Sequence, residues 1–151
     1  MPFFIACAEV HNTMTMVNSF LAVGDRRNWE SAFSKGNIWG ATEKRKEVWK
    51  KLMPGDLVFF YVKAPVRGVV GYGKMTTKFY DASPFFARDL RKDSEWPWRF
   101  KFEVLWPDTK DLLGPGPKVR IKDLNIEPRG SFHKLSIHNS QGLLRRCGQG
   151  E

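Results

Sequence analysis

The chain has 151 residues, 42% hydrophobic and 14% aromatic, with 25 Lys and Arg against 16 Asp and Glu for a formal charge of +9. That length and apolar content fit one domain with a sizeable core. The charge is shared, +5 over residues 1–75 and +4 over residues 76–151, which excludes a basic tail and gives the basicity to the folded body, where it suits a polyanion such as nucleic acid or a membrane surface.

In chain order, "FFIACA" at 3–8 is too short for a membrane span and has no charged leader, so it is neither a span nor a signal peptide. Met14 or Met16 can serve as a start, which leaves 1–16 as an N-terminal extension of uncertain order and 17–151 as the single domain. "SFLAV" from Ser19 is a brief buried strand, turned at Gly24 and Asp25. "NWESAFSKG" is a helix with Trp29, Ala32 and Phe33 at i, i+3, i+4, Asp25 or Asn28 as its cap and Gly36 just past its end. Trp39 then lies in a loop between Gly36 and Gly40.

Thr42 can cap a second helix, "EKRKEVWKKLM", whose apolar stripe is Val48, Trp49, Leu52 and Met53. After the "PGD" turn at 54–56, "LVFFYV" is continuously apolar, as for a strand covered on both faces. "KAPVRG" links it to the strand "VVGYGKM", where Gly71 and Gly73 suggest bending. "SPFFARDLRK" reads as a short helix. "RFKFEVLW" alternates, with Phe100, Phe102, Val104 and Trp106 inward and Arg99, Lys101 and Glu103 outward. "GPGP" at 114–117 is a loop, and "HNSQGLLRR" is open between strand and helix. The elements predict an α+β domain: a small, mostly antiparallel β-barrel flanked by short helices.

The chemical inventory points to binding rather than catalysis. There is no nucleophile elbow, phosphate-cradling glycine loop or metal spacing, so no catalytic residue, cofactor or metal is expected. Two cysteines near opposite ends, Cys7 and Cys147, fit a reducing, cytoplasmic compartment. Trp29, Trp49 and Trp106 fall on apolar faces and read as core. Trp39, Trp96 and Trp98 read as loop residues, with two roles open: walls of a slot that stacks a base, or plugs of the barrel ends. Asp25 and Asn28 are either helix caps or readers of a base edge. Lys44, Arg45, Lys63, Arg67, Arg129 and Lys134 are candidates for phosphate contacts, the alternative being solvated surface charge.

Three stretches, "NSFLAV…NWESAFSKGNIWGA", "MPGDLVFFYVKAPVRGVVGYGKM" and "EWPWRFKFEV", resemble in order the EVE domain family, which is similar to YTH domains within the PUA-like group. The resemblance covers about Ser19 to Arg145. It implies a PUA-like barrel and a pocket for a flipped, modified base, methylated in the simplest case, within an aromatic cage. DNA is the favoured nucleic acid, and no membrane is involved. Trp39 matches the cage tryptophan, with Gly40 beside it and Asp25 and Asn28 on the base edge. The second wall departs from the YTH pattern: Phe85 and Phe86 stand where a tryptophan is expected, and Trp96 or Trp98 can replace them. The resemblance also implies a reader module of a modification-dependent restriction system of the McrBC kind, with catalysis in a fused or partner motor and nuclease. The alternatives are an RNA-binding PUA-like domain and a reader of methyl-lysine peptides. ASCH domains are similar in fold, but their Gly-x-Lys-x-x-Glu-x-Arg signature is absent.

Overall fold

A computed structural model describes residues 17–83, 96–108, 112–114, 119–121, 124, 126–128 and 132–149. Six strands form one mixed sheet: β1 (Ser19–Gly24), β2 (Ile38–Ala41), β3 (Leu57–Val62), β4 (Gly68–Tyr80), β5 (Trp98–Trp106) and β6 (Phe132–Leu135). Their order is β2-β5-β4-β3-β1-β6, curled into a half-barrel. Three helices flank it: α1 (Arg26–Ser34), α2 (Lys46–Lys51) and α3 (Ile137–Gln149). Every strand pair is antiparallel except β1 with β3, which run parallel from Ser19 opposite Leu57 to Gly24 opposite Val62.

The parallel pair explains why "LVFFYV" carries no polar alternation. Both faces of β1 and β3 are covered, so both sets of side chains are apolar. Phe20, Ala22, Val58, Phe60 and Val62 point into one core with Trp29, Trp39, Phe100, Phe102 and Phe132. Leu21, Val23, Phe59 and Tyr61 point into a second, with Trp106, Ile121, Ile126, Leu143 and Cys147. Along β5, Phe100 and Phe102 therefore face the first core while Trp106 joins the second. The register of β4 against β5 shifts at Tyr72/Gly73 and again at Met75/Thr77, and such bulges re-aim the side chains beyond them.

Several expectations need correction. Trp39 is not in a loop: it sits in β2, opposite Phe100 of β5. The second helix is a 3-10 turn at Glu43–Arg45 followed by the short α2, and the Thr42 side chain makes no capping hydrogen bond. The C-terminal end of α2 is held instead by Lys78, whose ammonium donates to the Trp49 and Lys50 carbonyls at 3.2 and 3.1 Å. Arg99 was expected to face outward but is 3% exposed. The open tail is helical, with the Ser136 hydroxyl accepting the Asn139 N–H at 3.1 Å, and β6 precedes it as an unforeseen strand. The expected short helix at 83–92, apart from Ser83, the extension 1–16, Phe85, Phe86 and Arg129 lie outside the described residues.

Candidate functional site

The end of β1 and the first turn of α1 supply one side of the site. Asp25 is extended, and its carboxylate accepts the Asn28 N–H at 2.8 Å, which starts α1. Trp29 follows on the buried face, and its indole N–H donates to the Tyr61 carbonyl at 2.8 Å. Asn28 is 5% exposed. Its backbone N–H is taken by Asp25, and its side-chain amide makes no hydrogen bond to a described residue but is not sealed from solvent. Solvent takes up its hydrogen bonds, so the amide is available to a ligand in the helix turn that also carries Trp29.

The aromatic cluster is built on β2. Trp39 stacks on Trp29 with ring centroids 3.8 Å apart and planes 13° apart. Trp96 meets Trp39 edge-on at 5.5 Å and 89°. Gly24 has no room for a side chain, because a Cβ there would run into the Trp39 ring. Gly40 is similarly close to Trp96: a Cβ would lie 2.9 Å from the Trp96 carbonyl oxygen. The open slot expected beside Trp39 is therefore corrected. The indole has no exposed surface, because the bare backbone of Gly24 lets the ring settle against β1 while Trp29 covers its face.

Arg99 fixes the neighbouring backbone. Its guanidinium donates to the Trp96 carbonyl at 3.1 Å and to the Ser83 carbonyl, and pairs with Asp81 at 3.3 Å. Hydrogen bonds from the Ser83 hydroxyl and backbone hold the Asp81 carboxyl below its usual range, with Arg99 adding to the effect. The sequence gives no signal for this role, since Arg99 falls on the polar phase of an alternating strand.

The remaining candidates divide. Asp25, Asn28, Trp39, Gly40 and Trp96 come together. Trp98 packs against the first core at another point: its N–H donates to Glu43 at 2.7 Å, Trp49 and Tyr80 lie against it, and Lys46 sits 4.7 Å over its ring. Lys63 and Arg67 occupy the turn between β3 and β4, joined to the first group because the Lys63 N–H donates to the Gly24 carbonyl at 2.9 Å. Lys44 is exposed on the 3-10 turn and Lys134 on β6. Arg45 is half-buried there, and its charge adds to the burial that pushes His133 below its ordinary value.

Comparison with known proteins places this geometry. The family model described as the EVE domain matches residues 18–135. A UPF0310 protein of Pyrococcus abyssi is 26% identical over 93 residues, 57% of this chain and 65% of that one, so the match spans less than two thirds of the relative's length. The Mmi1 YTH domain, solved in complex with RNA, superposes with a TM-score of 0.60 at 11% identity, covering 88% of this chain and 79% of that one. An ASCH protein from Zymomonas mobilis superposes with a TM-score of 0.55 at 13% identity, covering 84% and 94%. At these identities both structures speak for a shared fold.

Proposed function

The chain belongs to the EVE domain family, and from that premise we propose that it is a non-catalytic module that binds nucleic acid and reads a modified base turned out of its strand. The observation that carries the reading is Asn28, whose carboxamide bonds to no described residue and reaches solvent, in the helix turn that also holds Trp29 of the stacked indole pair. A base edge replaces solvent on the amide, and its ring enters the place that Trp96 holds beside Trp39 in this structure.

The magnitudes fit. Extruding a base costs a few kcal/mol, and stacking returns about 1–3 kcal/mol per base. A buried methyl adds only about 0.8 kcal/mol, less than a tenfold preference. Discrimination therefore needs a polar group satisfied by the right edge alone, which is the part given to Asn28. The binding role is also consistent with Cys147, buried on α3 with its thiol pushed up to about 12, which leaves it inert as a nucleophile at neutral pH.

The resemblance favours DNA as the nucleic acid. The likeness to a YTH domain solved with RNA supports RNA as a second reading, so the test uses both sugars. Fluorescence anisotropy with single-stranded oligonucleotides, methylated and unmethylated, is expected to give tighter binding of one methylated strand. Asn28→Ala should weaken that strand roughly two- to tenfold, and Trp39→Ala about fivefold or more. Equal, weak binding of all strands, unchanged in both variants, would reject the reading. An oligonucleotide recovered chemically altered would reject its non-catalytic part.

A further inference from the structure

An open groove of about 1280 Å³ lies beside the turn between β3 and β4, lined among others by Tyr61, Val66, Arg67, Arg120, Ile121 and Ile126. It meets the indole cluster around the end of β3: Tyr61, Ile121 and Ile126 of its lining belong to the second core, while Val66 packs against the first. The Tyr61 carbonyl accepts the Trp29 N–H while the Tyr61 ring lines the groove, and the Lys63 backbone, at the start of the turn, bonds to Gly24. We propose that this groove carries the single-stranded phosphodiester chain that flanks the base, with Arg67 and Arg120 on its phosphates. The proposal rests on the nucleic-acid reading above and adds a path for the strand.

Size argues for a chain over a small ligand. Pockets for small molecules run to roughly 300–1,000 Å³ and enclose their occupant, whereas this groove is larger and open along one side. Charge argues for a polyanion. Lys63, Arg67 and Arg120 are exposed, and among the described residues none of the three forms an ion pair. Among the described residues that line the groove, the one acid is Glu127. Pro65 and the half-buried Val66 give the lining some apolar surface for sugar and base, and the buried Ile121 and Ile126 support it from below. Tyr61 adds a phenol whose pKa is raised by burial, against the pull of Arg67, so at neutral pH it stays a neutral donor. Arg67 has a φ of +53°, uncommon for a residue other than glycine.

The test measures affinity for a 5′-mononucleotide and for three-, six- and nine-residue single strands, in DNA and RNA forms, across a salt series. The variant is Arg67→Gln with Arg120→Gln. Both side chains are exposed, and an unchanged melting curve verifies its fold. Affinity should rise with strand length. The slope of log K against log salt should become shallower by about 1.4 in the variant, at about 0.7 per phosphate contact on a single strand. The preference for the methylated base at one salt concentration should be the same in both proteins. An unchanged slope, or a mononucleotide bound as tightly as the nine-mer, overturns the groove. A reduced slope with no methyl preference in the unaltered protein keeps the groove and removes the base reading. An intact preference with an unchanged slope does the reverse, and no binding of any strand removes both.

Discussion

The six-membered ring of Trp39 rests on the backbone of Gly24, and a Cβ there would meet its Cη2 and Cζ2 atoms. Trp29 stacks on the ring at 3.8 Å, and its Nε1 would lie 3.4 Å from the same Cβ, so the indole pair has little room to shift. Overpacking of this kind costs about 1–3 kcal/mol. Gly24→Ala should lower stability by that amount, read as a drop in the urea midpoint at constant slope. Shrinking the ring should relieve the clash. Gly24→Ala combined with Trp39→Phe is then less destabilised than the two single losses added together, by roughly 0.5–3 kcal/mol. Strict additivity would mean that the two residues do not press on one another. The same contact explains why Trp39, although it falls between glycines in the sequence, behaves as a core residue.

At the scale of elements, the turn into β3 depends on one carboxylate. Asp56 is 4% exposed. One oxygen accepts the Asn18 N–H at 3.1 Å and the other the Met53 N–H at 2.8 Å, while its backbone exchanges bonds with Met53 and Met75. It thereby ties the start of β1, the end of the α2 segment and β4 to the first residue of β3. Hydrogen bonds to a charged group are worth about 1.5–3 kcal/mol each. Asp56→Asn replaces one acceptor with a donor that faces an N–H, so it should cost about one such bond, and Asp56→Ala should cost more. Chemical denaturation checks the order, and equal stabilities of the two variants would contradict it. The sequence signalled this turn through "PGD", and it signalled β1, β3 and β5 through apolar runs and alternation. It did not signal β2 or β6, whose four residues each are too few to display a period. The extra length of β4 was hidden by bulges that break alternation. Arg99 was hidden for a different reason: strand phase assigns it to solvent, and the Ser83 and Trp96 carbonyls together with Asp81 explain its burial. Of the candidate site, the tryptophan, its glycine neighbour and the α1 cap were readable as residues. Trp29 as the stacking partner was not, because it also satisfies a plain helix face.

At the scale of the whole molecule, two cores share one pair of parallel strands. Successive residues of β1 and β3 alternate between them, so Phe20 and Leu21, or Phe59 and Phe60, anchor opposite sides. Neither core can lose its packing while those strands stay flat, and this predicts one cooperative transition for both. Leu143 on α3 has no exposed surface and packs only in the second core. Leu143→Ala should cost about 2–5 kcal/mol. The informative quantity is where the loss appears. Trp29 and Trp39 lie in the first core, with Trp49, Trp96 and Trp98 packed against it, while Trp106 lies in the second. Tryptophan fluorescence therefore reports mainly on the side of the sheet away from α3. If the strands couple the cores, Leu143→Ala shifts the fluorescence transition and the helical circular-dichroism transition together, to the same lower midpoint. A circular-dichroism change that precedes an unshifted fluorescence transition would mean that α3 melts by itself. In that case the sheet, with its candidate site, is stable without the helix that covers its outer face.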